Sequence, residues 1–582
     1  MSANDRVLIN AMIEEQRNAR TVPLSFDATF ERFAAEHALH GYGLSEEEIE
    51  AGVIGGADDG GIDGVYVFLG GRLLHEDSEI FSPQFAATGV EAGSQLTLWL
   101  VQAKTSTGFS EVALDKVAST CSNLLDMEVD ESVVGLLYSD DLLARFGMFR
   151  KALTKLLTRH PTVLIKFSYV TRGEAGEVHP KVQAKGKILE AQFSNAFAIS
   201  TGEVEFLGPA ELWKRASTLP SYTLELPYQE SITHGTSHIA LVALGEYIDF
   251  LSEETGAIQT HIFDWNVRDY QGNVEVNREI TASLQKPDAP EFWWLNNGIT
   301  IVCSQATSIG KRMSLSDVQI VNGLQTSYTL HETLSGLYAT DPGAAVFERL
   351  VQVRILVTAD QAARDAVIRA TNRQTSVPVA SLRATDDIQR QIESYFLEHD
   401  WFYDRRKNFY RNQGKSADRI ISIPLLAQSV MAMGLGRPDY ARARPSSLLK
   451  SDTDYRRVFS DKTELPVYLW LAMAQRQIDA FFQVAPDLVS RSEHTNLRFH
   501  LAMLGAVDLV GRAFGKPQEL NNAAREGTFP TTIRLLSLWK SLKEEFDSFQ
   551  NERQWSPDKT AKSSDFVAHL TTALGYGPLP RR

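Results

Sequence analysis

Two apolar runs constrain this chain most. Residues 64–69 (Gly-Val-Tyr-Val-Phe-Leu) and 95–103 (Gln-Leu-Thr-Leu-Trp-Leu-Val-Gln-Ala) are rich in β-branched and aromatic types and read as strands. The first is reached through Gly-Gly-Ala-Asp-Asp-Gly-Gly-Ile-Asp, which puts Asp63 at its mouth; the second runs into Gln102-Ala103-Lys104. Alternate side chains of a strand share a face, so Gln102 and Lys104 point the same way. A carboxylate, an amide oxygen and an ammonium at one sheet edge suit a divalent cation and a phosphodiester. The carboxylate takes the metal, which lowers the pKa of bound water and polarises the phosphoryl oxygen. The lysine offsets charge on the phosphate or holds the attacking water. Singly these residues are ordinary, since glycine turns bearing Asp occur wherever chains reverse and strand-end lysines are usually solvated. Their joint order carries the reading.

That order resembles the PD-(D/E)XK nuclease superfamily in its Mrr-like variant, with Gln-x-Lys in place of Glu-x-Lys. The resemblance implies an α/β, restriction-endonuclease-like domain with Mg²⁺ or Mn²⁺ as cofactor. Asp63 matches the metal ligand, Gln102 the residue replacing the second acidic ligand, and Lys104 the catalytic lysine. The Ala103 carbonyl is a further candidate oxygen. The variant also carries a Glu on the helix before the first strand, and residues 27–39 match that helix, with an apolar stripe of Phe26, Phe30, Phe33 and Ala34. Glu31 lies on the flank with Ala34 and Ala38, where small residues leave room for a metal; Glu36 lies on the opposite flank. Glu31 is the favoured third metal ligand.

A chain of 582 residues exceeds one core, and three regions are expected: 1–220, 222–460 and 461–582. In the first, residues 133–138, 162–171 and 204–207 read as further strands and 109–125, 142–159 and 209–217 as helices, the alternation of an α/β domain. Residues 46–50 (Glu-Glu-Glu-Ile-Glu) read as a solvated turn, and the two prolines in 217–227 mark a boundary. Residues 236–255 read as a helix. Helical periodicity in 467–481, 497–514 and 532–549 makes the last region mainly α-helical, a bundle that packs on its neighbour or forms a homodimer contact. No run approaches a membrane span and the N-terminus shows no apolar signal core. Cys121 and Cys303 lack metal spacing and fit a reducing compartment, so a cytoplasmic location is expected.

A net charge of −15 means that binding to nucleic acid has to come from local basic patches and metal ions. Arg405-Arg406-Lys407-Asn408-Phe409-Tyr410-Arg411 interleaves cations with aromatics, and Arg437, Arg442, Arg444, Lys450, Arg456 and Arg457 follow. The middle region carries Asn-Val-Arg-Asp (266–269), Asn-Asn-Gly-Ile-Thr (296–300), Ile-Val-Asn-Gly-Leu-Gln-Thr (320–326), Ala-Thr-Asn-Arg-Gln (370–374) and Phe-Tyr-Asp-Arg-Arg-Lys (402–407). In this order the motifs resemble the AIPR family, named for abortive infection and phage resistance, and imply an α+β AIPR-like domain in prokaryotic antiviral defence. Amides can read base edges or brace phosphates, so Asn296, Asn297, Asn322, Gln325, Asn372 and Gln374 are binding candidates, with Arg268 and Arg373 as phosphate or carboxylate partners and Arg405, Arg406 and Lys407 as contacts to nucleic acid or a trigger. Asn-Gly pairs are equally the usual hairpin residues, and buried amides often only satisfy backbone groups.

Taken together these features point to a metal-dependent endonuclease acting on nucleic acid, DNA being the favoured polymer. The AIPR-like region would recognise substrate or a phage-derived trigger and restrain cleavage until then. Two alternatives stay open: a non-catalytic nucleic-acid or trigger-sensing module on a degenerate nuclease scaffold, and an RNase toxin, because metal chemistry attacks either backbone.

Overall fold

A computed structural model describes residues 2–580, with the exception of 21, 41, 55–57, 91, 218–222, 254–255, 264–274, 287–289, 359–386, 406–407, 413, 445–447, 450 and 485–488. The chain opens with helix α1 (Ser2–Asn18), α2 (Phe26–Ala38) and α3 (Glu46–Gly52). Ser25 caps α2 by accepting the Ala28 N–H, and α3 begins with a reciprocal Ser45/Glu48 capping box, so both helix starts are set locally. Strands β1 (Gly64–Leu69), β2 (Arg72–Leu73), β3 (Gln95–Lys104), β4 (Thr162–Thr171) and β5 (Ser200–Leu207) form one sheet in the order β2-β1-β3-β4-β5. β1 is antiparallel to β2 and β3, whereas β3, β4 and β5 run parallel. Parallel neighbours need crossovers. α4 (Glu111–Leu124), a short α5 (Glu131–Val134) and α6 (Asp140–Leu156) supply the first, and α7 (Pro180–Ser194) supplies the second.

Both faces of this sheet are buried. Leu96, Leu98, Leu100, Val65 and Val67 pack with Leu114, Val117, Phe146 and Phe149 on one side. Tyr66, Phe68, Trp99 and Val101 pack with Phe30, Phe33, Ala34 and Leu212 on the other, where α2 and α8 (Pro209–Ser217) lie. The expected stripe of α2 is thus the buried one, and each Phe so enclosed contributes about 2 kcal/mol.

Residues 133–138 do not form the expected strand. They make α5 and a turn, with Leu136 85% exposed and Val134 turned inward. Asp130 accepts the Ser132 N–H at 2.9 Å and starts a helical turn, and the segment joins none of the sheets of the described residues.

The second sheet system begins after residue 222. β6 (Thr223–Pro227) joins β10 (Gln305–Ile309) and β11 (Arg312–Ser316) in a three-stranded sheet. β7 (Glu230–His234), β8 (Ser237–Ala243), β9 (Ile299–Cys303), β12 (Gln319–Asn322) and β13 (Leu350–Val357) make another, in the order β12-β9-β13-β8-β7. Residues 236–255 are therefore not one helix: the strand β8 precedes α9 (Leu244–Leu251). Ala240 and Val242 alternate inward against Val351 and Val353, a period-two pattern overlapped by the apolar helix that follows.

Beyond residue 386 the described chain is mainly helical, with long helices at Leu465–Val484, Arg491–Val510 and Thr532–Arg553. One apolar cluster runs from Ile392 to Leu570, so the boundary expected at 460–461 falls inside it. No helix among the described residues is long and apolar enough to cross a membrane.

Candidate metal and phosphate site

Asp63 is placed by backbone on both sides. Its N–H donates to the Val101 carbonyl at 2.9 Å, extending the β1–β3 ladder by one residue, and its carbonyl accepts the Ile54 N–H at 2.8 Å. The turn before it needs glycine: Gly60 and Gly61 have φ of +63° and +81°, and a Cβ on Gly60 would come within 2.6 Å of the Thr120 methyl. Asp59 closes this turn by accepting the Gly61 N–H at 2.6 Å, while Lys116 pairs with Asp59 at 2.9 Å. The Asp63 side chain is 6% exposed. Its Oδ2 accepts the Ala103 N–H at 2.8 Å, and Lys104 Nζ lies 3.2 Å away.

Gln102 stands beside it on β3 and is 2% exposed, with Oε1 buried and lacking any hydrogen-bond partner. A buried acceptor left unpaired costs stability unless something occupies it, and a hard cation taking oxygen ligands is such an occupant. Lys104 stays half-buried and open to solvent, with its head beside Asp63. Glu31 reaches the same place from α2. Burial, and then the charge of Asp63, push its carboxyl up to about 7, while Lys104 pulls the other way. Burial also raises Asp63, against Lys104 and the Ala103 N–H. Burial works to lower Lys104, but the neighbouring Asp63 outweighs it and holds the ammonium above its ordinary value. Glu36, on the other flank of α2, pairs with Arg411 instead.

Asp63, Lys104 and Glu31 interact with one another, and Gln102 lies across from Asp63 on β3, so the candidate donor set is two carboxylates and one amide. Among the described residues no three His, Cys, Asp or Glu side chains form a metal cage. Such sparse ligation fits Mg²⁺ or Mn²⁺, which keep several waters. Tyr169 was not legible beforehand. It lies opposite Gln102 in the parallel β3–β4 register, within electrostatic reach of Lys104 and Asp63, and its hydroxyl accepts the Ser110 N–H at 3.2 Å.

The expected binding residues of the middle region are dispersed. Asn296 Nδ2 donates to the Phe292 carbonyl at 2.9 Å, closing the short helix Phe292–Leu295. Asn297 is exposed, and its carbonyl accepts Arg354 Nη2 at 3.1 Å. Asn322 ends β12 opposite Thr300, and Gln325 sits half-buried in the first turn of α12 (Leu324–Thr340). Neither Asn-Gly pair makes a hairpin: Gly298 (φ +75°) leads into β9, and Gly323 (φ +95°) caps α12. The two turns adjoin, since a Cβ on Gly323 would lie 3.4 Å from the Gly298 carbonyl. Arg268, Asn372, Arg373, Gln374, Arg406 and Lys407 lie outside the described residues.

Arg405 corrects an expectation. Its side chain is 4% exposed and its Nε donates to Glu393 at 2.8 Å, so it braces the interior rather than facing a phosphate. Asn408 and Arg411 of that segment dock onto the first domain. Asn408 Nδ2 donates to the Gly43 and Leu44 carbonyls at 3.2 and 3.1 Å, beside the Arg411–Glu36 pair. The acidic turn 46–50 is not solvated either. Arg476 meets Glu47 at 3.3 Å, Arg491 meets Glu50 at 3.4 Å, and Arg20 pairs with Glu46. Arg442 and Lys562 close on Glu76, each at 2.9 Å. Burial works to raise Glu50 and Glu76, but Arg32 and then Arg491 at Glu50, and Arg442 and then Lys562 at Glu76, outweigh it and hold both well below the usual carboxylate range. Of the later arginines, Arg437 pairs with Asp439 at 2.7 Å, Arg444 lies over the Tyr440 ring, and Arg456 and Arg457 are exposed.

No curated protein and no solved structure matches the chain. A family model does: residues 263–549 match it under the description AIPR protein.

Proposed function

We propose that the first domain is a metal-dependent phosphodiesterase that cuts nucleic acid, DNA being the favoured polymer, and that it serves prokaryotic antiphage defence by abortive infection. The AIPR match supports the defence setting. The observations that carry the chemistry are the grouping of Glu31 and Lys104 about Asp63 and the orphaned, buried Oε1 of Gln102, the β3 residue that follows the Gly64–Val101 pair opposite Asp63. When bound, Mg²⁺ or Mn²⁺ would supply Lewis acidity toward a phosphoryl oxygen and a more acidic water ligand. Asp63 and Gln102 would hold the ion, with Glu31 contributing directly or through water. Lys104 is open enough to donate from Nζ to a phosphate oxygen and offset its charge as the linkage is attacked. Asp63 keeps the ammonium protonated and aimed at the sheet edge.

A second reading has its own support. Asp63 already accepts from Lys104 and from the Ala103 N–H, so the pair is satisfied without a metal, as in a scaffold that binds without cutting. The two readings separate in one experiment. The full-length protein is incubated with plasmid DNA and with RNA under Mg²⁺ or Mn²⁺, alongside Asp63→Asn and Lys104→Ala. Cleavage lost in both variants by at least about 100-fold supports the nuclease. Phage defence that survives both substitutions favours the binding scaffold, and cleavage of RNA alone identifies an RNase.

A further inference from the structure

A chain of charges crosses from the AIPR region to the candidate metal site. Arg491 opens the helix Arg491–Val510 and reaches back to α3. Its Nη2 donates to the Glu50 carbonyl at 2.6 Å and lies 3.4 Å from the Glu50 carboxylate. That carboxylate is gripped from its other side by Arg32 in a two-pronged pair, Nε to Oε2 and Nη2 to Oε1, the latter at 2.9 Å. Arg32 is the neighbour of Glu31 on α2, and its Nη1 also donates to the Ala28 carbonyl at 2.9 Å. The apolar stripe of Phe30, Phe33 and Ala34 fixes α2 against the sheet, but apolar contacts tolerate small rotations about the helix axis. The planar Arg32–Glu50 fork does not. A rotation of α2 would carry Glu31 away from Asp63 and Lys104, and metal sites lose affinity when a ligand is held loosely.

We propose that Arg491 is a positioning residue for Glu31: through Glu50 and Arg32 it sets the rotation of α2, so the AIPR region completes the cation site of the first domain. This rests on the metal-site reading above. It gives the second half of the chain a physical handle on the first, and a ligand that shifted the helix bearing Arg491 would change how well the site holds its ion.

The test is Mn²⁺ titration of the full-length protein, read by calorimetry or by the Mn²⁺ resonance signal. Arg491→Ala is expected to weaken Mn²⁺ binding by about 10-fold, the scale found for residues that orient metal ligands, with Arg491→Lys recovering most of it. Arg476→Ala, which breaks a neighbouring contact to Glu47 without touching Glu50, is expected to stay within about twofold of wild type. In a Glu31→Gln background, Arg491→Ala is expected to have no further effect. Should Arg491→Ala not fold, Glu50→Gln keeps the side-chain shape and carries the same expectation. Wild-type affinity in Arg491→Ala, equal losses in Arg491→Ala and Arg476→Ala, or an undiminished effect in the Glu31→Gln background overturns the proposal while leaving the metal site standing. A wild-type protein that binds Mn²⁺ no better than Asp63→Asn overturns both.

Discussion

At the scale of single residues, Glu31 and Asp63 make opposite demands. Glu31 is a carboxyl whose proton is held up to about 7 in the folded chain against 4.5 for the free group, by burial and by Asp63. The stability its protonated form contributes is fully present below about 4.5 and is lost as pH rises through about 7. Glu31→Gln, which mimics the protonated acid, should therefore melt with wild type at pH 5 and above it at pH 8 in metal-free buffer. Thermal unfolding at the two pH values checks this, and a gap that does not widen with pH contradicts it. Asp63 is the acceptor for a buried N–H. Asp63→Asn keeps an acceptor there, whereas Asp63→Ala orphans the Ala103 N–H at a cost of about 1–3 kcal/mol. Denaturant titration should rank wild type close to Asp63→Asn and above Asp63→Ala, with both variants failing to bind Mn²⁺.

At the scale of elements, the turn 58–62 delivers Asp63 to the sheet. Gly60→Ala would place a Cβ against Thr120 at a φ of +63°, and the loss expected is about 2 kcal/mol together with weaker Mn²⁺ binding. Chemical denaturation and metal titration of the same sample test the coupling. Much at this scale was legible, because the information is local. Asp63, Gln102 and Lys104 follow from a turn and two strands, and the burial of α2 follows from its helical stripe. Where the reading failed, the deciding contact was remote. Residues 133–138 are apolar enough for a strand but pair with no strand among the described residues, and residues 237–243 become a strand because β7 and β13 flank them. The place of Tyr169 beside Gln102 is set by the parallel register, which composition does not encode.

At the scale of the whole molecule, Arg411 and Arg442 of the basic segments pair with Glu36 and Glu76 of the first domain, contrary to their expected exposure. Sign and spacing of charge read alike for a phosphate surface and for a partner domain, so the sequence could not separate them. Arg442 is enclosed, 9% exposed between Glu76 and Asp558. Arg442→Glu should destabilise the full chain by about 1–3 kcal/mol, held to that range by solvent at the two carboxylates, and Glu76→Arg in the same chain should restore part of it. Calorimetry of the single and double variants reads this, and an additive double loss would contradict the pairing. An isolated first domain would lose Arg476 from Glu47, Arg491 from Glu50 and Arg442 with Lys562 from Glu76, so substitutions in the intact chain are the cleaner probe of any restraint.

The cation site is tested most directly by anomalous scattering from crystals of the full-length protein soaked in Mn²⁺. A peak within bonding distance of Asp63 and Gln102 Oε1, lost in Asp63→Asn crystals, is the expected result. A map empty at that position while Mn²⁺ fills other sites, or a peak unchanged in Asp63→Asn, contradicts it.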